Sequence, residues 1–86
     1  MQNLEKNNKT NLLGITSAFR IEIDKTARGI SACIHGVLSV PRFSEETVII
    51  RVRGRRIKIR GKMLSLAVYE NRIAEIVGDI EGIDFI

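Results

Sequence analysis

Seven of the twelve residues from Arg51 to Lys62 are basic: Arg51, Arg53, Arg55, Arg56, Lys58, Arg60 and Lys62. They alternate with apolar residues at period two. Val48, Ile50 and Val52 fall on one face of a first segment, with Arg51 and Arg53 on the other. After Gly54, Ile57 and Ile59 take the apolar face, and Arg56, Lys58 and Arg60 the polar one. Two adjacent strands would then carry one dense cationic surface. Like charges directly opposite each other on paired strands destabilise a sheet by a few tenths of a kcal/mol up to about 1 kcal/mol per pair. The chemistry on offer is anion binding: a phosphate backbone, an anionic lipid surface or an acidic protein face.

Cys33 and His35 are the other residues whose types invite chemistry. They stand two apart in an alternating segment and so share a face. That gives two metal ligands where zinc takes three or four, and the chain holds no other Cys or His. The sequence therefore predicts no metal and no cofactor, short of a site shared across a symmetric oligomer. A Cys33 thiol activated by His35 lacks any legible oxyanion device. Packing on a half-buried strand face is the expected role of both. Gly54 and Gly61-Lys62-Met63 lack the Gly-Lys-Ser/Thr ending of a phosphate loop, and both glycines are predicted to sit in turns. No catalytic constellation is present, and an enzyme is not expected.

The elements that must position these residues are strands. Phe19, Ile21 and Ile23 alternate with Arg20, Glu22 and Asp24, and a turn follows at Lys25–Gly29. Ile30, Ala32 and Ile34 alternate with Ser31, Cys33 and His35. Val37, Leu38 and Val40 lead to Pro41, and Ser44-Glu45-Glu46 is a polar connector into the basic hairpin. Leu64, Leu66 and Val68 make a further strand, which turns at Glu70-Asn71-Arg72. Ile73 to Val77, Ile80, Ile83 and Phe85 complete the pattern, with a bulge or bend expected around Gly82 where the apolar parity shifts. The fold class predicted is all-β: a small antiparallel meander of six to eight short strands over residues 15–86, rolled into a sandwich or open barrel. A short β-solenoid is the alternative. Residues 1–14, polar and Asn-rich, are predicted to be a flexible N-terminal tail. The predicted core is Ile21, Ile23, Ile34, Val37, Phe43, Ile50, Val52, Ile57, Ile59, Leu64, Leu66, Ile76, Ile80 and Phe85.

Charge is divided along the chain. Glu70, Glu75, Asp79, Glu81 and Asp84 oppose a single Arg72 near the end. The acidic strand either lies beside the basic hairpin in one sheet, meets it across a dimer interface, or leaves it to an external anion. At 86 residues with a net charge of +4 and a pI near 9.7, the chain is one mildly basic domain with a marginal core. One cysteine permits no internal disulfide, and no apolar run approaches the ~20 residues of a spanning helix. No signal peptide is visible, so a cytoplasmic protein is expected.

Several segments carry a resemblance. These are Ile30-Ser-Ala-Cys-Ile-His-Gly-Val-Leu-Ser-Val-Pro-Arg-Phe43, Ser44-Glu-Glu-Thr-Val-Ile-Ile50, and Ile57-Lys-Ile-Arg-Gly61 with Met63, Leu64 and Leu66. Gly78-Asp-Ile-Glu-Gly-Ile-Asp-Phe85 completes the set. In these the chain resembles the YabP/YqfC family of small sporulation proteins. Six residues separate Gly54 from Gly61, one more than the family's usual spacing, and the arginine content of this segment is heavier than the family's pattern. The resemblance implies a sporulation-associated, non-enzymatic protein of the mother cell, peripheral to the forespore membrane, and supplies no catalytic residues. The expected function is an assembly or interaction module acting through a sheet edge or the basic face of Arg51, Arg53, Arg55, Arg56, Lys58, Arg60 and Lys62. A homodimer and a sporulation protein partner are expected. The alternative is sequence-independent binding of anionic membrane or nucleic acid through the hairpin. Nucleic acid is the weaker of these, because Phe19, Phe43, Tyr69 and Phe85 all lie outside the basic segment and offer it no stacking platform.

Overall fold

A computed structural model describes residues 18–27 and 29–86; the tail predicted over residues 1–14 lies outside them. Six strands follow in order: β1 (Arg20–Thr26), β2 (Gly29–His35), β3 (Ser39–Phe43), β4 (Thr47–Val52), β5 (Arg55–Glu70) and β6 (Ile73–Phe85). All pair antiparallel in one sheet of order β1-β2-β6-β5-β4-β3. Strands β3 to β6 meander, and the β1–β2 hairpin is added on β6. Antiparallel pairing throughout excludes the solenoid, whose rungs run parallel.

The turns follow local chemistry. Arg53-Gly54 joins β4 to β5, with Gly54 at φ +85°, and Asn71-Arg72 joins β5 to β6 with φ of +51° and +63°. Positive φ at both Asn71 and Arg72 is the type I′ geometry that matches strand twist, whereas at Arg53-Gly54 only the glycine is positive. Pro41 sits on edge strand β3, where the ladder is irregular between Ser39 and Arg42 and a missing N–H costs least.

Two strands are far longer than predicted, β5 at 16 residues and β6 at 13. Gly61 is not in a turn. It lies inside β5, where an added Cβ would collide with the Asp79 carbonyl oxygen. Register slips between Arg60 and Gly61, between Lys62 and Ser65, and between Leu66 and Val68, so β5 bends instead of ending. The parity shift expected near Gly82 is part of the same break, since Arg60 faces Gly82 while Gly61 faces Ile80. Gly78, at φ +143°, lets the bent backbones meet, because a Cβ there would lie 2.7 Å from the Met63 carbonyl oxygen.

This bend folds the sheet into two layers. The first half of β5 pairs with β4 and the end of β6, while its second half pairs with the start of β6, which in turn pairs with β2. Residues 36–38 bridge the layers. Gly36 and Val37 donate to the Arg72 carbonyl at 2.9 and 3.0 Å, and Leu38 donates to that of Arg51 at 2.8 Å. Strands β1 and β3 remain unpaired with each other, so the barrel stays open.

One core fills the space between the layers: Ala32, Ile34, Val37, Val48, Ile50, Val52, Ile57, Ile59, Leu64, Ala74 and Ile76. Phe19, Ile21, Val40, Leu66, Ile80 and Ile83 pack on it partly buried. Three predicted core residues are about half exposed: Ile23 at 51%, Phe43 at 47% and Phe85 at 52%. Each has the inward parity but is only partly covered, Ile23 and Phe43 on edge strands and Phe85 at the end of β6.

Candidate functional site

The outer face of the β3–β4–β5 layer carries the cations. Val48, Ile50, Val52, Ile57 and Ile59 are buried, which turns Arg51, Arg56, Lys58 and Arg60 outward. Arg42 on β3 faces Ile49 across the ladder and joins the same surface. Arg51 and Arg56 are directly opposed, as are Ile49 and Lys58, and Thr47 and Arg60. The other predicted members go elsewhere. Arg53 occupies the hairpin turn. Lys62 lies past the register break opposite Asp79. Arg55 pairs with Val52, and its guanidinium lies 5.3 Å from the centre of the Phe85 ring. Phe85 in turn packs on Phe19 with ring centres 5.9 Å apart. An aromatic distant in sequence therefore does reach the basic segment, under one arginine only.

The acidic strand lies beside the hairpin, in the same sheet, with Lys58 facing Asp84 and Lys62 facing Asp79. Its compensation is incomplete. Arg60 Nε bonds Asp84 Oδ2 at 2.7 Å, its guanidinium lying over Gly82, where a Cβ would collide with it. Among the described residues, no other basic residue of this face has a carboxylate in ion-pair reach. Arg51 donates from Nε to the Ser39 hydroxyl at 3.2 Å. Arg42, Arg51, Arg56 and Lys58 thus remain open to an external anion. A shallow depression of about 350 Å³ at the hairpin end is lined by Arg51, Arg55, Arg56, Gly54, Val52 and Ile86. Arg42 escaped the sequence reading because it lies outside the basic run; only the β3–β4 register places it.

The outer face of the other layer carries Cys33 and His35, confirmed on one side of β2 by burial of Ala32 and Ile34. Glu22 of β1 faces Cys33, and Glu75 of β6 faces it from the other side. His35 Nε2 lies 3.0 Å from Glu22 Oε1 and 3.6 Å from Cys33 Sγ. Ser31 donates to Glu75 Oε2 at 2.8 Å. Burial pushes the Cys33 thiol up from its ordinary range, and the Glu22 and Glu75 charges push the same way. The hydrogen bond to His35, then the Arg20 charge, hold the Glu22 carboxyl below the usual carboxylate range.

No family model, curated protein or solved structure matches this chain. The geometry of its two faces must therefore carry the functional argument. Among the described residues no helix is long and apolar enough to cross a membrane.

Proposed function

We propose that this chain is a non-enzymatic interaction module that docks an anionic partner protein on its outer β3–β4–β5 face. One observation carries the reading. Arg51 and Arg56 stand directly opposed on paired strands, beside Arg42 and Lys58, and the adjacent acidic strand engages only Arg60. Such an array works against the sheet that holds it, and a ligand with complementary charge relieves it. The resemblance to YabP/YqfC proteins supports an assembly role in spore formation, in the mother-cell cytoplasm near the forespore. β1 and β3, the end strands of the sheet among the described residues, offer a route to a homodimer by strand pairing.

The test is retention from a nuclease-treated, detergent-solubilised lysate of sporulating cells, comparing the parent with a variant carrying Arg42, Arg51, Arg56 and Lys58 all changed to Gln. A discrete protein held by the parent and lost from the variant supports the proposal. Equal retention by both moves the interface off this face. Binding that returns only with added anionic vesicles or nucleic acid favours the alternative reading, and its collapse with modest salt would mark it as charge-driven.

A further inference from the structure

Glu22, Cys33 and His35 lie on the opposite layer from the cationic surface, and the docking role does not use them. Their ligand atoms all fall within 4.8 Å of one another. One imidazole nitrogen, Nε2, faces both the Cys33 sulfur at 3.6 Å and the Glu22 oxygen at 3.0 Å. A tetrahedral zinc ion, with bonds of about 2.0–2.1 Å to nitrogen, about 2.3 Å to sulfur and about 2.0–2.2 Å to a carboxylate oxygen, holds such donors roughly 3.3–3.7 Å apart. The Cys33–His35 separation already has that length. The Glu22–His35 separation must widen by about 0.4 Å and the Glu22–Cys33 separation, within 4.8 Å, must settle near about 3.6 Å, both within the freedom of an exposed glutamate on an edge strand.

One alternative fits less well. In a nucleophilic triad the orienting carboxylate holds the imidazole nitrogen remote from the thiol, whereas here both groups meet the same nitrogen. The surroundings favour a cation instead. Glu22, Glu75 and Asp24 act on Cys33 as negative charges against the one positive charge of Arg20, in a chain whose net charge is +4. Arg20 Nη2 contacts the other Glu22 oxygen, Oε2, at 3.4 Å and so leaves Oε1 turned toward His35. An outer contact of this kind commonly orients a ligating carboxylate.

We infer that Glu22, Cys33 and His35 form a binding site for a divalent transition-metal ion of the zinc class, with a fourth position left to water. A mixed nitrogen, sulfur and oxygen donor set suits zinc or cobalt over magnesium or calcium. Binding exchanges the thiol proton for the metal. Cys33–SH releases H⁺ to solvent as the S–Zn bond forms, and no electron is transferred. The ion would clip edge strand β1 to β2.

The experiment titrates the reduced, tag-free full chain with Co²⁺, following thiolate-to-metal charge-transfer absorption, and then displaces it with Zn²⁺. Expected are one ion per chain, loss of the band in Cys33→Ser, and affinity at least about tenfold weaker in Glu22→Gln and in His35→Gln. Zn²⁺ should raise the melting temperature of the parent and not of Cys33→Ser. Absence of a saturable one-to-one band in the parent overturns the proposal. So does unchanged affinity in Glu22→Gln, a substitution on an exposed edge that leaves the core intact and keeps the test valid if the β2 variants fail to fold.

Discussion

At the scale of single residues, the metal-free Cys33 thiol is raised above its ordinary range by burial and by Glu22 and Glu75. Its alkylation at neutral pH should therefore be slower in the folded protein than in urea, with a rate profile that inflects at higher pH when folded than when unfolded. An inflection at the same or lower pH in the folded protein would contradict the assignment. Glu22 makes the opposite prediction. Its folded pKa lies below its unfolded one, so its contribution to stability is present above the unfolded value and is lost as pH falls through the folded one. Denaturation midpoints of the parent and of Glu22→Gln should converge as the pH is lowered through the folded value of Glu22. The alternation of β2 put Cys33 and His35 on one face from sequence alone. The third donor depends on strand register. Counting back from the turn at Lys25–Gly29, with Thr26 opposite Gly29, sets Glu22 opposite Cys33, so the signal lay in the turn and not in a ligand motif.

At the scale of elements, the bends in β5 and β6 decide the architecture. Changing Gly78 to Ala forces a side chain toward the Met63 carbonyl at a positive φ, and should destabilise the fold by 1 kcal/mol or more (order of magnitude). Arg72→Gly is the converse. It relieves an αL arginine in the type I′ turn and should stabilise by roughly 0.5–1 kcal/mol. Urea midpoints of both variants check these signs. The strands are legible because apolar and basic residues alternate from Ile50 to Arg53 and from Arg56 to Arg60. Their lengths are not, because a glycine that ends a strand and one that lets a neighbouring backbone approach look alike in sequence. Gly54 is the first kind and Gly61 the second. Inward parity likewise could not show that Ile23, Phe43 and Phe85 stay about half exposed.

At the scale of the molecule, the eleven buried apolar residues form a single cluster shared by both layers, and so small a core tolerates little. Ile59→Asp places an unpaired charge at its centre and should abolish cooperative melting; a transition near that of the parent would remove Ile59 from the core. Against so thin a margin, the opposed Arg51 and Arg56 work against the sheet that holds them, and the proposed docking role rests on that opposition. The most direct measurement pairs the stability of Arg56→Glu with its capture of the partner. Relieving the repulsion should raise stability by a few tenths of a kcal/mol up to about 1 kcal/mol, while retention of the anionic partner falls. Unchanged or lower stability together with undiminished retention would contradict the claim that this face is kept for docking.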